Sequence, residues 1–235
     1  LDNEFIRSAF DSLMKTRSQY ALQYGPGQGD AKLREQILDI MALEGIQGSV
    51  ENLMITTGSQ HALELIADLF LDQGDVALVE SPSYVGAVGI FRHKEAHIEH
   101  VYTDSDGISP EAVAEAADRL IADGRKVKLL YLVPNFANPS GVTLSEERRD
   151  QLIAVCKERG ILIVEDNPYG LLYFDGKPPQ ALRARDADSV VYLGSFSKIL
   201  SPGLRVGYVL APPAIREKLI LANESAVLSP ATFAQ

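Results

Sequence analysis

Val190-Val191-Tyr192-Leu193-Gly194-Ser195-Phe196-Ser197-Lys198 is the stretch from which the fold can be read. Its first four residues form an apolar run, two of them β-branched and one aromatic, the pattern of a buried strand. The chain then turns polar at once, and Arg205 follows seven residues after Lys198, in Gly203-Leu204-Arg205-Val206-Gly207. An amine, two hydroxyls and a guanidinium are thus gathered just past the carboxyl end of a strand.

Working outward, short apolar runs recur at 53–56, 76–79, 129–133, 161–164 and 206–210. Helical patterns lie between most of them. The clearest covers 60–70, with Leu63, Ile66, Ala67 and Phe70 on one face, spaced as successive helical turns require. A second covers 110–122, and Ser145-Glu146-Glu147-Arg148 opens a third with a capping-type start. Phe5, Ile6, Ala9, Phe10 and Leu13 mark a helix that already includes Leu1, and Leu33, Ile37 and Ile40 mark another. Continuously apolar strands separated by helices predict an α/β three-layer sandwich with a mostly parallel sheet. In such sheets ligands collect outside the carboxyl ends of the strands.

Composition sets the limits. With 235 residues, 46% hydrophobic and 23% charged, the chain is long enough for one large domain with a buried core. A net charge of −10 argues against nucleic acid as a partner of this segment. Cys156 is the single cysteine, so no intrachain disulfide forms; its helical setting makes it a small core residue. No apolar run is long enough to span a bilayer and no signal-peptide pattern opens the chain, so a cytoplasmic protein is expected. The four histidines, His61, His93, His97 and His100, are not spaced as a metal-ligand set. Neither a Gly-x-Ser-x-Gly elbow nor a Walker-type phosphate loop is present.

The chemistry sits after the strands. Beyond the last run, a lysine amine that loses its proton can form a Schiff base with an aldehyde. Serine hydroxyls and an arginine fork supply the donors a phosphate needs. An aldehyde that also carries a phosphate is the profile of pyridoxal 5'-phosphate (PLP). Taken alone, Lys198 would be a solvated lysine, but other strand ends offer matching parts. Thr57-Gly58-Ser59-Gln60 opens a helix, whose free amides and dipole make an anion site; the plainer reading is a turn with Ser59 as N-cap. Tyr84, in Glu80-Ser81-Pro82-Ser83-Tyr84, either lays its ring on a planar ligand or packs at the core edge. Pro134-Asn135-Phe136-Ala137-Asn138-Pro139-Ser140-Gly141 is a rigid loop in either case. In Glu165-Asp166-Asn167-Pro168-Tyr169-Gly170 an acid can pair with a protonated ring nitrogen. Asp166 and Glu165 are adjacent, and Asp166 also suits a turn before Pro168. Tyr24-Gly25-Pro26-Gly27-Gln28-Gly29 reads as a flexible turn before a helix.

Together these segments resemble the fold-type I PLP-dependent aminotransferases of class I and II, from about Tyr24 to the C-terminus. Within that family the likeness is to the branch of aminoadipate, kynurenine and related broad-specificity transaminases, together with the MocR-type regulators. The resemblance implies that residues 1–235 are the PLP-binding large domain, with a leading segment before it and a C-terminal small domain after it. It implies a phosphate cup of Gly58, Ser59, Gln60, Ser195, Ser197 and Arg205, and a Schiff base on Lys198. Tyr84 would stack on the pyridine ring. Asn138 and Tyr169 would reach its phenolic oxygen, and Asp166 rather than Glu165 would pair with the ring nitrogen. Tyr24 would enter the neighbouring subunit's site and touch that subunit's cofactor phosphate, which implies a homodimer.

The implied activity is transamination between an amino acid and a 2-oxo acid, often 2-oxoglutarate. Lys198 moves the proton, and Asp166 holds charge on the ring. The arginine that grips the substrate carboxylate belongs to the small domain, beyond Gln235; Arg183, Arg185 and Arg216 are not in its place. Two other readings share the same cofactor site: the PLP-sensing domain of a MocR-type regulator, and a PLP lyase or decarboxylase.

Overall fold

The computed structural model describes residues 3–173 and 176–235. Leu1, at the predicted start of the first helix, lies outside them; helix α1 is described over Asn3–Thr16. Helices α2 (Ser18–Ala21) and α3 (Ala31–Met41) follow. The sheet then begins with β1 (Leu53–Thr56), followed by α4 (Ser59–Phe70), β2 (Val76–Ser81) and α5 (Val85–His93). Next come β3 (His97–Asp104), β4 (Gly107–Ile108), α6 (Pro110–Ala122) and β5 (Val127–Leu132). The chain continues through α7 (Glu146–Glu158), β6 (Leu162–Asp166), α8 (Leu182–Arg185), β7 (Val190–Ser195), β8 (Gly207–Leu210) and α9 (Pro213–Val227).

The eight strands form one sheet in the order β1-β8-β7-β6-β5-β2-β3-β4. Pairings from β7 through β6, β5 and β2 to β3 are parallel, whereas β8 runs against both β1 and β7, and β4 runs against β3. The expected mostly parallel sandwich is therefore present. Alternate strand residues feed two separate cores, because successive side chains point to opposite faces. Ala77, Val79, Leu129, Tyr131, Val164, Val191 and Leu193 pack with α4 and Phe91 of α5. Val76, Leu78, Leu130, Leu132, Ile163 and Val190 pack with Leu120 of α6 and Leu152 and Cys156 of α7. A third group joins Ile37 and Met41 of α3 to Leu53, Ile55, Tyr192 and Tyr208. Burial pushes the Cys156 thiol up to about 12, consistent with an inert core residue.

Two features depart from the sequence reading. Strands β3 and β4 were not among the expected runs. Their end of the sheet is partly exposed, so His97-Ile98-Glu99-His100-Val101 mixes polar and apolar residues instead of running apolar. The first turn of α4 is also shifted: Gly58 is the N-cap, with φ 80°, and Ser59 begins the helix without capping it. The capping start at Ser145 holds, with its hydroxyl accepting from Arg148 N at 3.4 Å. Among the described residues no helix is long and apolar enough to cross a membrane.

Candidate active site

β2, β5, β6 and β7 are mutually parallel, so their carboxyl ends, Ser81, Leu132, Asp166 and Ser195, open on one edge of the sheet. β1 points the same way, being antiparallel to β8 as β7 is. The chain crosses from β2 to β3 on one side and returns to β5 on the other, which makes a topological switch point between β2 and β5. A cavity of about 210 Å³ lies at this edge. Ser59, Gln60, Tyr84 and Asn138 line it, as do Asp166, Tyr169, Ser195, Ser197, Lys198 and Arg205. Ten of the expected residues are thereby brought together from five strand ends.

The anion end is built by close approach. Gly58 sits in the left-handed region, and a Cβ there would stand 2.5 Å from Arg205 Nη2. A Cβ on Gly207 would collide with the Gly58 backbone and Ser59 N. Glycine at both positions lets the Arg205 segment lie against the start of α4, whose first amides have no partner within the helix. Arg205 itself adopts φ 54°, uncommon for a side-chain-bearing residue. Ser195 closes β7, and its hydroxyl donates to Ser197 Oγ at 2.8 Å. Backbone amides, two hydroxyls and a guanidinium thus converge, the donor set for a phosphate dianion.

At the other end, Asp166 is buried on the last residue of β6. Its Oδ2 accepts from Tyr131 OH at 2.8 Å, and its Oδ1 is buried without a partner among the described residues. Burial raises its carboxyl to about 6, against the opposing effect of the Tyr131 hydrogen bond. The alternative acid is excluded by strand alternation. Glu165 points to the other side, where its oxygens accept from Leu182 N at 3.0 Å and Arg183 N at 2.8 Å. Asp166 is no turn-forming residue either, since its bonded oxygen faces Tyr131.

Between the two ends stand the remaining parts. Tyr84 is half-buried, and its hydroxyl donates to Gln60 Oε1 at 3.2 Å. Asn138 rides on a loop held by its own backbone, with Ala137 N donating to Val142 O at 2.8 Å and Leu144 N to Pro134 O at 2.8 Å. Lys198 is exposed toward the cavity mouth and makes no ion pair or hydrogen bond among the described residues. Tyr24 is not brought in. It is 79% exposed and borders a separate cleft with Leu22, Pro230 and Phe233. Arg183, Arg185 and Arg216 stay outside the cavity; Arg183 donates to Val190 O at 2.6 Å, and Arg185 pairs with Asp150 at 2.8 Å.

Sequence reasoning missed Tyr131, whose partner is 35 residues away, and a buried polar network behind the strand ends. There Arg149 donates to Asn135 Oδ1 (2.8 Å), Asn135 to Asn167 Oδ1 (2.9 Å), and Asn167 to Glu44 Oε1 (2.5 Å). Tyr192 OH donates to the other Glu44 oxygen at 2.6 Å. This network ties the loop carrying Asn138 to the strand end carrying Asp166, with every link satisfied.

The family model for aminotransferases of class I and II matches residues 3–235, beginning upstream of Tyr24. The aromatic-amino-acid aminotransferase 1 of Thermococcus litoralis is 38% identical over 99% of this chain and 56% of its own length. The 2-aminoadipate transaminase of Thermus thermophilus is 38% identical over 92% of the chain and 53% of its own length. The crystal structure of Pyrococcus horikoshii kynurenine aminotransferase, in complex with PMP and kynurenine, superposes with a TM-score of 0.94. It is 37% identical, and the match covers 100% of this chain and 58% of that one. Helix-turn-helix transcriptional regulators also match over part of their length. The chain belongs to the class I and II aminotransferase family. It spans about half the length of the curated relatives it matches.

Proposed function

We propose that this chain is the cofactor-holding part of a PLP-dependent aminotransferase acting on an amino acid and a 2-oxo acid. The observation that carries the reading is Asp166 Oδ1, a buried oxygen without a partner among the described residues, on a side chain that lines the same cavity as Lys198, Ser195 and Arg205. A protonated pyridine nitrogen supplies the donor it lacks, and the phosphate has its donors at the opposite end, so the residues fit the group. When bound, PLP supplies the electron sink and the carbon that receives the amino group. Ser59, Gln60, Ser195, Ser197 and Arg205 bind its phosphate. Asp166 keeps a proton on the ring nitrogen, Tyr84 covers one face of the ring, and Asn138 and Tyr169 hold its phenolic oxygen. Lys198 Nζ, the only amine among the lining residues, takes the proton from the substrate's α carbon and delivers it to the accepting carbon.

The test is transfer of amino groups from a panel of L-amino acids to 2-oxoglutarate by the full protein, with 2-oxo acid product measured. Transfer supports the reading. Tight PLP uptake with no turnover of any amino acid would favour the sensor role of the regulators, and carbon dioxide release would favour a decarboxylase. A further expectation concerns Arg205, whose fork offers two parallel donors that lysine cannot reproduce. Arg205→Lys should raise the PLP dissociation constant about tenfold, read by absorbance titration. Unchanged affinity would mean that Arg205 does not hold the phosphate.

The same reading includes a cytoplasmic homodimer in which Tyr24 serves the partner's site. Its support is that Tyr24 lies outside its own chain's cavity, with Leu22 and Val85 also largely exposed. Across a two-fold axis each chain would complete the other's site. Co-expression of Tyr24→Ala and Lys198→Ala chains should then restore up to about a quarter of native activity, because half the dimers are mixed and each holds one intact site. No recovery above Tyr24→Ala alone would place Tyr24 in its own subunit's service or in none.

A further inference from the structure

We propose that Tyr131 is a positioning residue, whose hydroxyl fixes the Asp166 carboxylate so that Oδ1 is left for the ligand in the cavity. The inference rests on the reading of that cavity as a PLP site. Tyr131 is fully buried on β5, and its ring is held edge-on to Phe91 at 5.8 Å between centroids. A buried tyrosine hydroxyl must find a partner, and this one donates to Asp166 Oδ2 at 2.8 Å. One carboxylate oxygen is thus committed to the protein and the other has no partner among the described residues.

The other ionisable groups facing Tyr131 are engaged elsewhere. Glu80 on β2 accepts from Val133 N at 2.8 Å, and Tyr84 at the start of α5 donates to Gln60. Tyr131 is therefore the only side chain among the described residues that donates to Asp166. A hydrogen bond donated to the charged form favours it where burial opposes it. Tyr131 would accordingly do two things through Asp166: set its rotamer, and keep it an anion able to hold a proton on a ring nitrogen.

The test is a double-mutant cycle in the full protein. Tyr131→Phe keeps the ring and its contact with Phe91 and deletes only the hydroxyl. It should raise the PLP dissociation constant about tenfold in the native background and less than about twofold in an Asp166→Ala background. With isotope-labelled PLP, the ring-nitrogen NMR shift should move from the protonated toward the neutral value in Tyr131→Phe. Equal losses in both backgrounds, or an unmoved nitrogen shift, would overturn the inference while leaving the PLP reading intact. Failure of the native protein to take up PLP would instead overturn the reading and the inference with it.

Discussion

Replacement of Lys198 by alanine is expected to abolish amino-group transfer, by a factor on the order of 10⁴ or more, with folding unchanged. Lys198 is exposed and bonded to no described residue, so its removal leaves no buried group unpaired. Its place beside Ser195 and Ser197, in one cavity with Asp166 and Arg205, is what singles it out as the proposed reactive amine. The other lysines do not line the cavity: Lys157, for example, lies in the last turn of α7 and pairs with Asp186 at 2.9 Å. Borohydride treatment of the PLP-loaded protein, followed by peptide mapping, should put the pyridoxyl group on Lys198. A label on Lys157 or Lys177, or an active Lys198→Ala protein, would end this assignment.

Asp166→Ala is expected to lose activity by about 10²–10⁴ while still binding PLP through the phosphate donors. The loss should appear in kcat, because the role proposed for Asp166 is on the ring rather than on the substrate. A nearly active variant would mean that ring protonation is not what limits turnover. The same residue has an effect on stability with a definite sign. Burial raises its carboxyl from 3.8 to about 6 in the cofactor-free chain. The folded chain therefore holds more protons than the unfolded one between these values, so stability falls as pH rises through that window and stays lower above it. Two pKa units correspond to about 3 kcal/mol at most. Asp166→Asn cannot ionise and keeps an acceptor for Tyr131. Without cofactor it should melt above the native protein near pH ~8, with the gap closing toward pH ~4. Equal melting at the higher pH would show that burial does not strain the charged form.

Much of this was legible in the sequence because it is local. A strand buried on both faces is an unbroken apolar run, and a helix shows its face at every turn. The runs from 53–56 to 206–210 became β1, β2, β5, β6, β7 and β8, and the polar residues after them became the cavity wall. Partly exposed β3 lacks such a run, since one face meets solvent, and it escaped that reading. What no local pattern contains is the relation between strands. Register and crossover order decided that Asp166, and not its neighbour Glu165, faces the cavity. They also brought Tyr131 to Asp166 and carried Glu44 to Asn167, 123 residues on. Residue types and spacings determined the sandwich and the inventory of groups. Only the assembled sheet decided which of those groups meet, because strand pairing joins segments whose separation along the chain carries no record of their contact.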